Sequence, residues 1–256
     1  MTEIELTTGW QTTVTLPVGL TDSDGEVIRE VTLRKLTGNE EAMLADPKLR
    51  RNGGKLVSAL ICACARVDGR RLTGERVRAM TSADRNFLLI ALRRLTFGDL
   101  LEARYRCPGC GATTNLVEHL GELPVRALDD ADAEIEVALV DGYRDADGHV
   151  HRELVFGLPT GEDEEVAAAG REDNPARQRD ALLTRCLRRV GELEERRMRA
   201  AGTRVLADLS MTDRRLVQRA LDDGAPGPDL TRQVICDSCL DEFRAALDMS
   251  RFFVLE

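Results

Sequence analysis

The sequence predicts an α+β fold written twice in tandem, the two copies related by a pseudo-twofold axis and clamped by one metal. Three observations carry this reading. Two Cys-x-x-Cys pairs stand 129 residues apart, Cys107 and Cys110 in "RCPGCG" and Cys236 and Cys239 in "ICDSCL". Four blocks of similar letters recur in the same order, the last ending in each pair, and a repeat of that length is a structural unit before it is anything else. Each series opens on alternating apolar and polar residues and then turns to helical spacing, with no strand–helix alternation that would build a parallel sheet. The boundaries that follow are residues 1–128 for the first copy and 129–256 for the second.

The elements come in the order hairpin, helices, knuckle. "TVTLPVGL" and "EVIREVTLRKL" flank Thr-Asp-Ser-Asp-Gly, and "EIEVALVDGY" and "HVHRELVFGL" flank Asp145-Ala-Asp-Gly148, each a hairpin signal. Asp24-Gly25, Arg29-Glu30 and Thr37-Gly38 match Asp147-Gly148, Arg152-Glu153 and Thr160-Gly161 at an offset of 123. Thr37-Gly-Asn-Glu40 reads as a capping box, with Thr160-Gly-Glu-Asp163 as its degraded twin. Asp46-Pro47 and Asn174-Pro175 each offer an N-cap followed by proline at the first helical position. Helices are expected over about 54–66 and about 175–190, burying Leu56, Leu60 and Cys64, or Leu182, Cys186 and Val190. At this point the offset is 122, so that Cys64 falls on Cys186. A third helix, capped by Ser82 or Thr212, is expected over about 83–95 and about 213–222, the second ending before Gly224. "ADRNFLLIAL" lies on "TDRRLVQRAL" at 129, the offset of the knuckles, and "ELEERRMRAAGTR" (192–204) supplies the insertion that the change requires.

The cysteines point to a shared site. Structural zinc takes four ligands in a closed tetrahedral shell, and each knuckle supplies two. Tight turns at Pro108-Gly109 and Asp237-Ser238 suit two hairpins of a zinc ribbon, so Cys107, Cys110, Cys236 and Cys239 are expected to hold one structural zinc per chain. Closing a loop of about 125 residues in this way removes several kcal/mol of chain entropy in the simple loop model. Redox use of the pairs wants a helix N-terminus beside a βαβ element, which the surroundings do not suggest. Cys62, Cys64 and Cys186 lie in apolar helical runs and read as small buried side chains. His149 and His151 share a strand face and could bind a metal, but no carboxylate or third imidazole is read near them in sequence, so an exposed hairpin is expected; His119 could stand in for a cysteine of the first knuckle.

Composition narrows the function. The 256 residues carry 43% apolar and 32% charged side chains with a net charge of −9, acid and base interspersed, which counts against a broad nucleic-acid face and leaves room for protein partners. The longest apolar run, 56–65, is too short to span a bilayer, and the first residues do not read as a signal peptide, so a cytoplasmic product is expected. Seven cysteines, an odd number, fit a reducing compartment and a metal better than disulfides. The sequence has no Gly-rich phosphate loop, Gly-x-Ser-x-Gly elbow or His-Glu-x-x-His pattern, and its acidic clusters, Asp129-Asp130 and 162–165, fall in a linker or at a helix start. No enzyme is expected.

Taken together, Leu16-Pro17, the Leu-Thr-Gly-x-Glu-Glu stretch within 34–41, Asp84-Arg85, Phe97-Gly98 and the first knuckle resemble the baseplate proteins of contractile phage tails and related injection systems. In particular they are similar to the T-even-type baseplate hub assembly chaperones, over roughly residues 14–120. The second copy departs from the pattern, with Leu-Pro-Thr-Gly for Leu-Thr-Gly and "DDGAPGPDL" for "LTFGDL". The resemblance implies a non-enzymatic assembly or structural role, with hub, tube or spike proteins as partners and no membrane. The partner surface is expected on the first copy, at 37–41 and 95–100, unless the apolar "LTFGDL" is a satellite core beneath the zinc. The alternative is a zinc-ribbon adaptor in transcription or RNA handling; the acidic balance and 4% aromatic content count against it.

Overall fold

The computed structural model of the chain describes residues 9–21, 25–129, 133–170, 172, 174–247 and 252–253. Strands β1 (Gln11–Thr21) and β2 (Val27–Arg34) form an antiparallel pair whose register runs from Gln11↔Arg34 to Thr15↔Glu30 and then shifts before Leu20↔Ile28. Gly19 sits in the shift at φ 106°, where a Cβ would approach Val27 Cγ1 to 2.6 Å, so the irregularity needs glycine on two counts. Three helices follow: α1 (Gly38–Ala45), α2 (Pro47–Arg50) and α3 (Gly53–Cys64). Strands β3 (Ala65–Val67) and β4 (Arg70–Arg71) complete a four-stranded sheet in the order β1-β2-β3-β4. Helices α4 (Gly74–Ala79) and α5 (Ser82–Phe97) lead to the hairpin of β5 (Leu100–Arg106) and β6 (Thr113–His119), which carries the first knuckle.

A short strand β7 (Val125–Arg126) opens the connection to the second half. There β8 (Glu134–Arg144) and β9 (Val150–Gly157) pair antiparallel, with a register shift between Ala138 and Tyr143 around Gly142 at φ 83°. Helices α6 (Gly161–Ala169) and α7 (Pro175–Cys186) precede β10 (Leu187–Val190), which joins β9 to make a three-stranded sheet. Helices α8 (Glu195–Ala201), α9 (Arg204–Ala207) and α10 (Met211–Gly224) lead to β11 (Gly227–Pro228), paired with β7, and to the hairpin of β12 (Thr231–Ile235) and β13 (Glu242–Ala246) with the second knuckle. The chain is thus mixed α and β. Each half runs hairpin, helices, hairpin, and α8 falls within the stretch read as an insertion.

Several boundaries differ from the sequence reading. The expected helices at 54–66 and 175–190 stop at Cys64 and Cys186, because the next residues extend and pair with β2 or β9. The caps of α5 and α10 are Thr81 and Ser210, not Ser82 and Thr212: each hydroxyl accepts the amide of the aspartate three residues on, Asp84 or Asp213. Asp46-Pro47 opens only the short α2, and Asn52 caps α3 by accepting from Lys55. The capping box at Thr160 is not degraded; the Asp163 carboxylate accepts from the Thr160 amide and hydroxyl as Glu40 accepts from those of Thr37.

Among the described residues the buried apolar side chains gather in four clusters, the smallest of which joins Val18 and Ala83 to Leu158. The first joins Val14, Leu16, Val31 and Leu33 of the sheet to Ile61, Phe87, Leu88 and Leu92 of α3 and α5. The second joins Val137, Leu154 and Phe156 to Cys186, Val205 and Val217. The third is shared: Leu101, Tyr105 and Cys107 from one half pack with Val234, Cys236, Phe243 and Phe252 from the other. One buried aspartate tethers each hairpin to the helix behind it. Asp84 accepts the amides of Val18 at 2.9 Å and Gly19 at 3.0 Å. Asp213 accepts those of Val140, Asp141 and Gly142 at 2.7, 3.1 and 2.8 Å.

Candidate metal centre

The shared core ends at the two knuckles. In the first, the Cys107 amide bonds Ala112 and the Gly111 amide returns to the Cys107 carbonyl; in the second, Cys236 and Asp241, then Leu240 and Cys236, do the same. Both turns end on a left-handed residue, Gly111 at φ 75° and Leu240 at φ 60°. The tips meet reciprocally, with Cys107 Sγ 3.7 Å from Cys239 Sγ and Cys110 Sγ 3.6 Å from Cys236 Sγ. All four sulfurs lie within 4.8 Å of one another, Cys107 and Cys236 buried, Cys110 and Cys239 exposed. Disulfide bonding needs about 2.05 Å, so these are not bridges. A tetrahedron of thiolates at about 2.3 Å from a metal has edges near 3.8 Å, and the observed separations fit it.

The surroundings move two of the sulfurs in opposite directions. The amides of Cys239 and Ser238 donate to the Cys236 sulfur and bring its thiol down to about 6, whereas Cys239, although the Asp241 amide donates to it, is pushed up by the sulfurs of Cys110, Cys236 and Cys107. Contacts between the halves continue behind the cluster. The Asp237 amide donates to Thr114 Oγ1 at 3.2 Å, and Arg232 Nε lies 3.3 Å from Glu118 Oε2, whose other oxygen accepts Tyr105 Oη at 2.7 Å. The arrangement can hold a metal ion with no open position for a substrate, which is a structural rather than a catalytic geometry.

The remaining cysteines stand apart from this cluster. Burial pushes Cys64 up to about 11 and Cys186 up to about 12, and also raises Cys62, which keeps these thiols protonated. His119 is exposed and faces Asp99 at 3.7 Å, away from the sulfurs. In the expected partner surface, Glu40 is buried, holding Arg34 through two bonds of 2.9 and 2.8 Å that bring its carboxyl down to about 2, and Leu95 is core. Residues 95–97 form the last turn of α5 rather than a loop. Phe97 and Leu100, by contrast, are 38% and 55% exposed, with Val117 of the adjoining hairpin at 57%. The Arg93 guanidinium lies 4.9 Å from the Phe97 ring and donates to the carbonyls of Gly98 and Leu100, so this apolar corner is rigidly presented.

Sequence reasoning missed what joins the halves at the other end. Thr81 and Thr160 form an isolated bridge, and Arg85, wholly buried in α5, reaches Glu164 of α6 at 3.0 Å. Arg85 also donates to Ser58 Oγ, Val77 O and Gly54 O. Asn52 Nδ2 donates to Glu165 O at 2.8 Å, and Ser58 Oγ donates to Glu165 Oε1. The acidic run at 162–165 is at a helix start, as expected, but two of its members reach across. A capped helix followed by acids satisfies the dipole rule so well that no further role is legible in the letters.

Among the described residues, no helix is long and apolar enough to cross a membrane. A protein-family model described as T4 bacteriophage base plate protein matches residues 10–254. No curated protein and no solved structure matches the chain.

Proposed function

The chain belongs to the T4 bacteriophage base plate protein family, which carries a structural or assembly role among other baseplate components, and from that premise we propose a non-enzymatic assembly chaperone or structural subunit clamped by zinc. The two halves are duplicated copies, 1–128 and 129–256, joined about a pseudo-twofold axis. Cys107, Cys110, Cys236 and Cys239 hold one zinc between them. The protein works in the cytoplasm of the producing bacterium, orienting hub, tube or spike proteins of a contractile tail or injection system while the baseplate is built.

The observation that carries this reading is the reciprocal sulfur cluster, drawn half from each knuckle and filling its own coordination shell. A closed thiolate site stabilises a surface and offers no chemistry. The surface favoured for partners is the corner of Phe97, Leu100 and Val117, where large apolar side chains stand exposed toward the end of the β5–β6 hairpin opposite the knuckle.

Two measurements test this. Purified protein contains about one zinc per chain, and Cys107→Ser or Cys239→Ser each loses it together with several kcal/mol of stability, since metal binding and folding are coupled. Two metals held by the cysteines, or retention in either variant, refutes the shared site. A hub or tube-initiator protein from the same gene cluster, co-expressed, co-purifies with the chain, and Phe97→Asp weakens the complex by roughly tenfold or more with zinc content unchanged. A folded Phe97→Asp variant that binds as tightly as the parent removes this corner from the interface.

A further inference from the structure

The turn joining β8 to β9 reads Asp145-Ala-Asp-Gly-His-Val-His151, and it gathers ligand-type side chains far from the cysteines in sequence. The Asp145 side chain is only 6% exposed. Its Oδ1 accepts the amides of Asp147 and His149, both at 2.9 Å, which fixes the carboxylate and leaves Oδ2 facing two imidazoles. His149 Nδ1 lies 3.6 Å and His151 Nε2 3.3 Å from that oxygen. Ligand atoms of Asp145, Asp147 and His149 all lie within 4.8 Å of one another. The His151 ring is itself held, stacked on Tyr143 at 6.4 Å and seated over Gly191, where a Cβ would come within 3.0 Å of Nδ1. The carboxylate missing from the sequence view of these histidines is therefore Asp145.

We propose that this turn is a second metal site, in which Asp145, Asp147 and His149 bind one divalent first-row cation of the zinc or nickel class. Two ligand atoms about 2.1 Å from a common ion stand about 3.0 to 3.6 Å apart, which the Asp145–His149 separation meets. An imidazole set among carboxylates selects borderline metals over calcium, whose ligands are oxygens. His151 backs the Asp145 carboxylate as its hydrogen-bond partner, the usual arrangement outside a metal's own ligands. Arg197 pairs with Asp147 at the edge of the turn.

Turn geometry alone does not account for the imidazoles. The hairpin of the first half spells Asp22-Ser-Asp24-Gly25, the same turn letters, with Glu26 and Ile28 where the second has His149 and His151. The histidines are thus an addition to those letters in the second half alone. The site is independent of the cysteine cluster and of any baseplate partner.

The test uses the full chain with its cysteines already loaded with zinc and dialysed free of excess metal. Calorimetric titration with Zn²⁺ or Ni²⁺ then shows one further equivalent. His149→Ala and, separately, Asp147→Asn weaken that equivalent at least about tenfold, while His119→Ala, which removes a surface imidazole elsewhere, leaves it unchanged. Circular dichroism of each variant confirms that the hairpin remains folded. The proposal is overturned if no second equivalent binds, or if it binds equally well in His149→Ala, or if His119→Ala abolishes it.

Discussion

Arg85 and Arg214 follow a buried aspartate in matching helices, and each donates to the carbonyl eight residues upstream, Val77 or Leu206. Their charge partners differ. Arg214 holds Asp180 of its own half through bonds of 3.2 and 2.7 Å. At the place of Asp180 the first half has Ser58, and the carboxylate comes from Glu164 of the other half instead. The glycines follow suit. A Cβ on Gly161 would meet the Arg85 guanidinium at 2.4 Å, whereas Gly38, its counterpart after Thr37, faces open space. Gly54 lets α3 approach the backbone of Glu165 so closely that a Cβ would stand 2.9 Å from its nitrogen. The arginine of one half is thus satisfied within that half, and the arginine of the other by its neighbour. The knuckles touch reciprocally, but the helical contact runs one way only.

The sharpest way to break this comparison is to remove the two arginines in turn. Arg85→Met takes a charged donor from Ser58 Oγ and from the Val77 and Gly54 carbonyls and leaves the Glu164 carboxylate without its counter-charge, at a cost of about 3 kcal/mol. Arg214→Met costs a similar amount by leaving Asp180 unpaired and buried. The two differ in where they loosen the protein: hydrogen exchange should speed up in both α3 and α6 for Arg85→Met, and around α7 and α9 for Arg214→Met. Should Arg85→Met leave α6 as protected as before, the crossing ion pair is not what joins the halves.

A smaller effect sharpens the likeness instead. Asp84→Ala leaves two hairpin amides without an acceptor and Asp213→Ala three, each inside a tethered bulge. Losses of about 2 kcal/mol are expected for both, with the second at least as large as the first. Denaturant unfolding of the pair measures this. If one loss is below about 0.5 kcal/mol, water replaces that carboxylate and the two tethers are not equivalent.

Much of this was legible in the letters, for a physical reason. Alternation in β1 and β8, capping threonines, Pro after Asn174 and the cysteine spacing are all local signals, each set by the next few residues. Element ends were less legible, because Cys64 and Cys186 stop their helices through pairing with distant strands rather than through a cap. The cross-half contacts of Glu164 and Glu165 left no signal at all, since an acid in the first turn of a helix is already explained there. Asp145 shows the same limit on a small scale: its part in the turn hides the oxygen that it offers to the histidines.

The last comparison lies at the knuckles. Gly111 and Leu240 end equivalent turns, both at positive φ. Glycine adopts that conformation freely, while an L-side chain in it costs about 1 kcal/mol. Leu240 repays nothing by packing among the described residues, since its side chain is 77% exposed. Leu240→Gly is therefore expected to stabilise the protein by roughly 0.5 to 1 kcal/mol, the backbone relief being offset in part by the greater freedom of glycine in the unfolded chain. The reverse exchange, Gly111→Leu, is expected to cost about 1 kcal/mol at the same place in the other turn. Thermal unfolding of the zinc-loaded proteins reads both. If Leu240→Gly instead weakens zinc or lowers the midpoint, Leu240 covers Cys239 or a partner in a way the free chain does not display, and the two knuckles are alike in backbone only.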